Sequence, residues 1–175
     1  MSIGLLTRRR QAFRLAADHR ASRGLYHVRL RVEPLEDRRM LSVLMVDADA
    51  ASGGDGLAWA TAHNDLQAAL AQAAVLNADA DAGNDVDQIW IAEGTYRPSA
   101  ELEPGDARSA SFSLLDSVTL YGGFAGTETT LDQRDGSAHL TTLSGDLGVL
   151  GDASDNAYTV VYCAATVEAA IDGLS

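Results

Sequence analysis

The chain has 175 residues, 46% of them hydrophobic, which suffices for one domain of ordinary size. No stretch approaches the roughly 18 consecutive apolar residues of a membrane-spanning helix, and the single cysteine excludes an internal disulfide framework or a multi-cysteine metal site. The net charge of −12 divides unevenly: residues 1–42 hold ten basic and four acidic residues, a net of +6, and residues 43–175 hold three and twenty-one, a net of −18.

So acidic a body repels nucleic acid and anionic membrane surfaces, because phosphate recognition needs clustered lysine or arginine. It favours solubility and is compatible with divalent cations. All the basic residues are arginines.

Residues 1–42 form a leader of distinct composition. Arg8-Arg9-Arg10 is followed by 15–20, a stretch interrupted by Asp18 and Arg20, so the uninterrupted apolar core of roughly 7–15 residues that a secretory signal needs is missing there. The leader ends in Val32-Glu33-Pro34-Leu35-Glu36-Asp37-Arg38-Arg39-Met40-Leu41-Ser42. This run resembles the LEPR-type N-terminal motif of planctomycete exported and surface proteins, with Val32 and Met40 departing from the usual residues. The resemblance implies export or surface sorting. The leader is expected to be disordered and outside the folded core. A free basic arm would instead bind nucleic acid in a strongly salt-dependent way.

The body, 43–175, opens with a short β-branched run at 43–47 and a glycine-rich loop at 50–56. One helix is predicted over 59–76: Leu66, Ala69, Leu70, Ala73 and Leu76 recur at helical spacing and form a narrow apolar face suited to close packing. Asn64 with Gln67, or Thr61, would cap it. An acidic, turn-like stretch follows at 77–87, then a strand at 88–92 ended by 93–98, and a loop rich in charge and proline through Arg108.

Short strands are predicted at 110–114, 117–121, 140–143, 158–163 and 167–171. Cys163, at the end of one of them, reads as a small buried hydrophobe. Tyr121-Gly122-Gly123-Phe124-Ala125-Gly126 sets three glycines at the end of another, where the backbone takes positive φ or passes close to another segment. One early helix and many short strands, without strand–helix alternation, indicate an all-β architecture; sandwich and solenoid both satisfy the pattern.

A second resemblance separates those two. Several pieces occur in order: Trp59-Ala60-Thr61-Ala62 with 65–70, Ile89-Trp90-Ile91-Ala92-Glu93-Gly94-Thr95-Tyr96, the glycine turn at 121–128, Asp132-Gln133-Arg134-Asp135, Leu143-Ser144-Gly145-Asp146 and Asp155-Asn156-Ala157-Tyr158. Together, from Val46 to Ser175, they resemble the N-terminal part of bacterial right-handed parallel β-helix proteins. These are the pectin-lyase-like solenoids, including relatives of chlamydial polymorphic outer-membrane proteins. The resemblance implies an early helix that caps the solenoid and covers its first strand edges. It also implies further coils beyond Ile171-Asp172-Gly173-Leu174-Ser175, so the chain reads as a truncated product that self-associates through an open C-terminal end.

No residue is assigned a catalytic, cofactor-binding or metal role. Counted from Asp79, the EF-hand pattern fails at Gly83, Asn84 and Trp90. Looser calcium binding by Asp47, Asp49 and Asp55, or by Asp146, Asp152 and Asp155, is the weak cofactor candidate. A lyase would need a basic proton acceptor beside an acidic cluster, and after the leader only Arg97, Arg108 and Arg134 are available. Arg134 reads as a structural ion pair within its own turn. His63 and His139 are isolated, Ser144 lacks a nucleophile elbow, and Trp59, Trp90, Tyr121 and Phe124 read as core and cap packing.

The expected function is a non-enzymatic, secreted or cell-surface β-helix segment, structural or adhesive, with glycans or other surface proteins as partners. The alternative is the N-terminal part of a polysaccharide lyase or glycoside hydrolase.

Overall fold

The computed structural model describes residues 42–81 and 83–175. The expectations for the leader lie outside the described residues except at Ser42, which is the first residue of a strand in the folded body. What is described is mixed: eight short strands and one α-helix. The strands are β1 (Ser42–Val46), β2 (Val86–Ala92), β3 (Gly94–Tyr96), β4 (Phe112–Ser113), β5 (Thr119–Phe124), β6 (Thr141–Leu143), β7 (Val161–Tyr162) and β8 (Ala170–Asp172). The helix, α1, spans Leu66–Leu76.

The strands form three sheets, ordered β1-β2-β5-β8, β3-β6 and β4-β7, and every pairing between them is parallel. Parallel neighbours need long crossovers, and these follow a regular order. β2, β3 and β4 lie one in each sheet; β5, β6 and β7 repeat that order as their respective neighbours. β8 then returns beside β5, and Leu174 makes a parallel bridge to Thr141 of β6.

Register carries the core from strand to strand. Leu44, Ile89, Leu120 and Ile171 stand in successive register positions across the largest sheet. The first three are buried and Ile171 is exposed; Val86, Ile91, Phe112 and Val118 join Leu44, Ile89 and Leu120 in one buried cluster, and α1 adds Leu66, Ala69, Leu70 and Ala73, with Leu76 at its margin. The alanine stripe does as its small size dictates: α1 lies close against β1, β2 and β4.

The helix is shorter than predicted. Trp59–Thr61 forms a separate 3-10 turn, and Ala62 is extended at φ −58° and ψ 151°. The cause is pairing with the edge of β1. Met45 N–H donates to Gly56 O (2.8 Å), His63 N–H to Met45 O (2.9 Å), and Asp47 N–H to His63 O (2.8 Å). Residues held in that ladder cannot wind into helix. The cap is therefore neither Asn64 nor Thr61 but Asp65, whose Oδ1 accepts the Gln67 N–H at 2.9 Å.

Three other expectations need correction. Gly94–Tyr96 is a strand in its own right, paired with β6, where the sequence suggested only the end of β2; Gly94 at φ 147° makes the bend between them. Of the runs at 117–121 and 140–143, the first begins only at Thr119, because Ser117 is in a left-handed turn (φ 60°). Cys163 is exposed, lying just past β7, which has a strand neighbour on one side only.

The glycine turn shows both behaviours read from the sequence. A Cβ on Gly122 would collide with Gly173 O and lie 2.9 Å from Thr141 Cβ, so backbone from the next pass of the chain occupies that space. Gly123 has φ 89° and lies at a register shift between β2 and β5.

Candidate functional site

The acidic residues singled out in the sequence mostly hold turns. Asp47 Oδ1 accepts the Asp49 N–H (2.9 Å), and Asp55 Oδ1 accepts from Leu57 N–H (3.1 Å) and the Thr61 hydroxyl (2.6 Å). Asp146 accepts from Gly151 N–H, Asp152 from Ser154 N–H and Asp155 from Val149 N–H, all at 2.7–2.9 Å. Asp79 and Asp81 close the EF-hand-like stretch by accepting from Asp81 N–H and Gly83 N–H. Among the described residues there is no group of three or more His, Cys, Asp or Glu side chains arranged to hold a metal ion.

Trp59, Trp90, Tyr121 and Phe124 are engaged with their neighbours. Trp90 stacks on Phe124 at 4.8 Å, Trp59 tilts against the same ring at 5.6 Å, and both Trp90 and Phe124 are buried. The Tyr121 ring lies under the Arg134 guanidinium at 5.1 Å. Arg134 forms its ion pair not within its turn but with Asp172, 38 residues on. Gln133 accepts backbone N–H groups of Thr129 and Thr130, and Arg134 leaves the turn in an extended conformation that carries it toward β8.

The histidines and Ser144 do not meet. Buried His63 bonds Gln72 through Nε2 (2.9 Å), His139 Nδ1 lies 2.9 Å from Glu93 Oε2, and Ser144 Oγ accepts the Asp146 N–H. Tyr96 is sealed in the core, its hydroxyl donating to Ala92 O and accepting from Ala48 N–H. Desolvation pushes its pKa up to about 12, too high for acid–base work near neutrality.

A site does emerge where the sequence showed only loops. The connections 97–111 and 144–160 leave the second sheet at the same relative position, after β3 and after β6, and both lead into the third. They pack on each other as a lobe. Tyr158 N–H donates to Arg108 O (2.8 Å), Arg108 Nε to Asn156 O (2.8 Å), and Arg97 Nε to Asp146 O (2.7 Å). Each cation of the pair thus ties one loop to the other. Within the first loop, Ser109 Oγ donates to Asp106 O (2.7 Å), and Glu101 Oε2 accepts from Gly105 N–H (2.6 Å).

Two cavities open on this lobe. One, of about 340 Å³, is bordered by Arg97, Glu101 and Leu147. The other, of about 200 Å³, is lined by Leu102, Glu103, Asp106, Ser109, Tyr158 and Thr159. The Arg108 guanidinium sits over the Tyr158 ring at 4.5 Å, yet the tyrosine is still 63% exposed. Binding surfaces are usually carried on such loops above a rigid scaffold, and in repeat folds the insertions gather on one face. Arg108 and Tyr158 are far apart in sequence, and the pairings of β3 with β6 and of β4 with β7 bring their loops together. No local motif could have announced them.

Comparison of the chain with protein families, with curated proteins and with solved structures found no match.

Proposed function

We propose that residues 43–175 form the N-terminal cap and first coils of a right-handed parallel β-helix, serving as a secreted or cell-surface structural or adhesive element without catalytic activity. The observation that carries this is the cyclic strand order. A chain that visits three parallel sheets in one sequence, then visits them again in the same sequence, has the order that winding about an axis would produce. The right hand follows from the general preference of parallel crossovers. Residues 56–63, laddered onto β1, and α1, packed against the same strand, support the cap.

The non-catalytic reading is supported by the commitments of the charged groups. Arg97, Arg108 and Arg134, the three basic residues after the leader, hold Asp146 O, Asn156 O and Asp172 respectively. Glycans or other surface proteins are the proposed partners, and the edge of β8 is a surface for self-association. Incubating the full chain with polygalacturonate and other acidic polysaccharides tests the absence of catalysis. No unsaturated products and no new reducing ends are expected; either would overturn it in favour of a lyase or hydrolase.

A further inference from the structure

The Tyr158 cavity has the parts of a saccharide subsite. One face of the ring lies under the Arg108 guanidinium at 4.5 Å, and that guanidinium is itself fixed by the Asn156 carbonyl. Arg108 does not line the cavity, whereas Tyr158 does. A ring covered on one side and still 63% exposed presents its other face to solvent. The result is an exposed aromatic platform backed on one face by a held guanidinium.

Polar groups stand around this face. The Glu103 carboxylate makes no hydrogen bond or ion pair among the described residues, and Asp106 uses Oδ1 for the Arg108 N–H, leaving Oδ2 open. Thr159 contributes a hydroxyl and Leu102 an apolar wall. A cavity of about 200 Å³ is smaller than most drug-sized sites and suits a single ring.

We infer that this cavity binds one pyranose ring of an uncharged oligosaccharide. The C–H-rich face of the sugar would lie on the open face of Tyr158, whose π cloud attracts the weakly positive C–H hydrogens. Sugar hydroxyls would donate to Glu103 and Asp106. Those same carboxylates, on a body of net charge −18, repel uronic acids and sulfated sugars. The site thereby gives the adhesive role proposed above a definite partner class, and it rests on that role for its biological meaning.

The test is titration calorimetry of the full chain with xylotetraose and cellotetraose, with tetragalacturonate and a glucosamine tetramer as charged controls. Binding of a neutral tetramer is expected, with no binding of the uronate. Tyr158→Ala should weaken it about tenfold or more and Tyr158→Phe should leave it nearly unchanged, as ring stacking requires. Should Tyr158→Ala fold poorly, the Glu103→Gln/Asp106→Asn double variant serves instead and should also weaken binding. Absence of neutral-sugar binding, indifference to both variants, or binding confined to the glucosamine tetramer would overturn the site. Recovering the bound tetramer separates the two claims: cleaved sugar would refute the non-enzymatic role while leaving the site standing.

Discussion

Ile171 stands opposite Leu120 in parallel register, yet Leu120 is 1% exposed and Ile171 50%. The two occupy the same kind of position on successive strands. The difference is that, among the described residues, Leu120 has strand neighbours on both sides and Ile171 on one. Leu120→Ala should therefore cost about 2–5 kcal/mol, the usual range for a fully buried aliphatic, and Ile171→Ala well under half of that. Urea denaturation of both variants measures the contrast. Equal costs would mean that Ile171 is covered in solution.

The same edge predicts association. Among the described residues β8 has a strand neighbour on one side only and carries an exposed isoleucine, whereas the edge of β1 is laddered onto residues 56–63. Sedimentation velocity over a range of concentrations should show reversible association of the full chain, reduced in Ile171→Lys. Association that this substitution leaves unchanged would place the contact elsewhere.

Glu128 predicts an acid-sensitive staple. Its carboxylate accepts from the backbone N–H groups of Ala125 (2.7 Å), Gly126 (3.1 Å) and Thr127 (2.9 Å), while its carbonyl accepts from the Trp59 indole (2.8 Å). Burial alone would raise the carboxyl pKa; the backbone donors outweigh it and hold the pKa below the usual 4.5. A group whose folded pKa is depressed stabilises the fold above its unfolded pKa and loses that contribution as pH falls through the folded value. Glu128→Gln should thus be destabilised by roughly 1–3 kcal/mol at pH 7. The gap to the unsubstituted protein should close as the pH drops below about 4.5. Chemical denaturation at several pH values tests this, and a gap independent of pH would contradict it.

Gly122 and Gly53 separate steric exclusion from backbone strain. At Gly122 a Cβ would meet backbone on the next pass of the chain, and at Gly53 (φ 86°) it would meet nothing within 4 Å. Gly53→Ala should cost only about 1–2 kcal/mol, the left-handed penalty. Gly122→Ala should cost more than about 4 kcal/mol, in the class of severe core lesions. Thermal melts of the two variants decide it.

The helix cap gives a smaller, local test. Asp65→Ala removes the bond to the Gln67 N–H and should cost about 1 kcal/mol, whereas Asn64→Ala should cost less. Equal effects would mean that the cap lies elsewhere.

What the sequence revealed was local, and what it concealed was not. The stripe Leu66, Ala69, Leu70 and Ala73 is a 3.6-residue pattern and can be read within one window. The glycines at 122 and 123 announce their corner because no other residue fits. The break at Ala62 could not be read, since it arises from hydrogen bonds to Met45 and Asp47 on another strand. Asp132 and Asp135 are near Arg134 in sequence, but β5–β8 pairing brings it the ion-pair partner Asp172. The Arg108–Tyr158 stack depends likewise on the meeting of two loops from different passes of the chain.

The proposed β-helix requires that β1, β2, β5 and β8 stack as parallel strands in that order. Methyl-labelled NMR tests it most directly through the ladder Leu44, Ile89, Leu120 and Ile171. Cross-relaxation between each methyl group and the next, Leu44 to Ile89, Ile89 to Leu120 and Leu120 to Ile171, is the predicted result. Contacts joining Leu44 directly to Ile171, or an antiparallel pattern between any two of these strands, would contradict it.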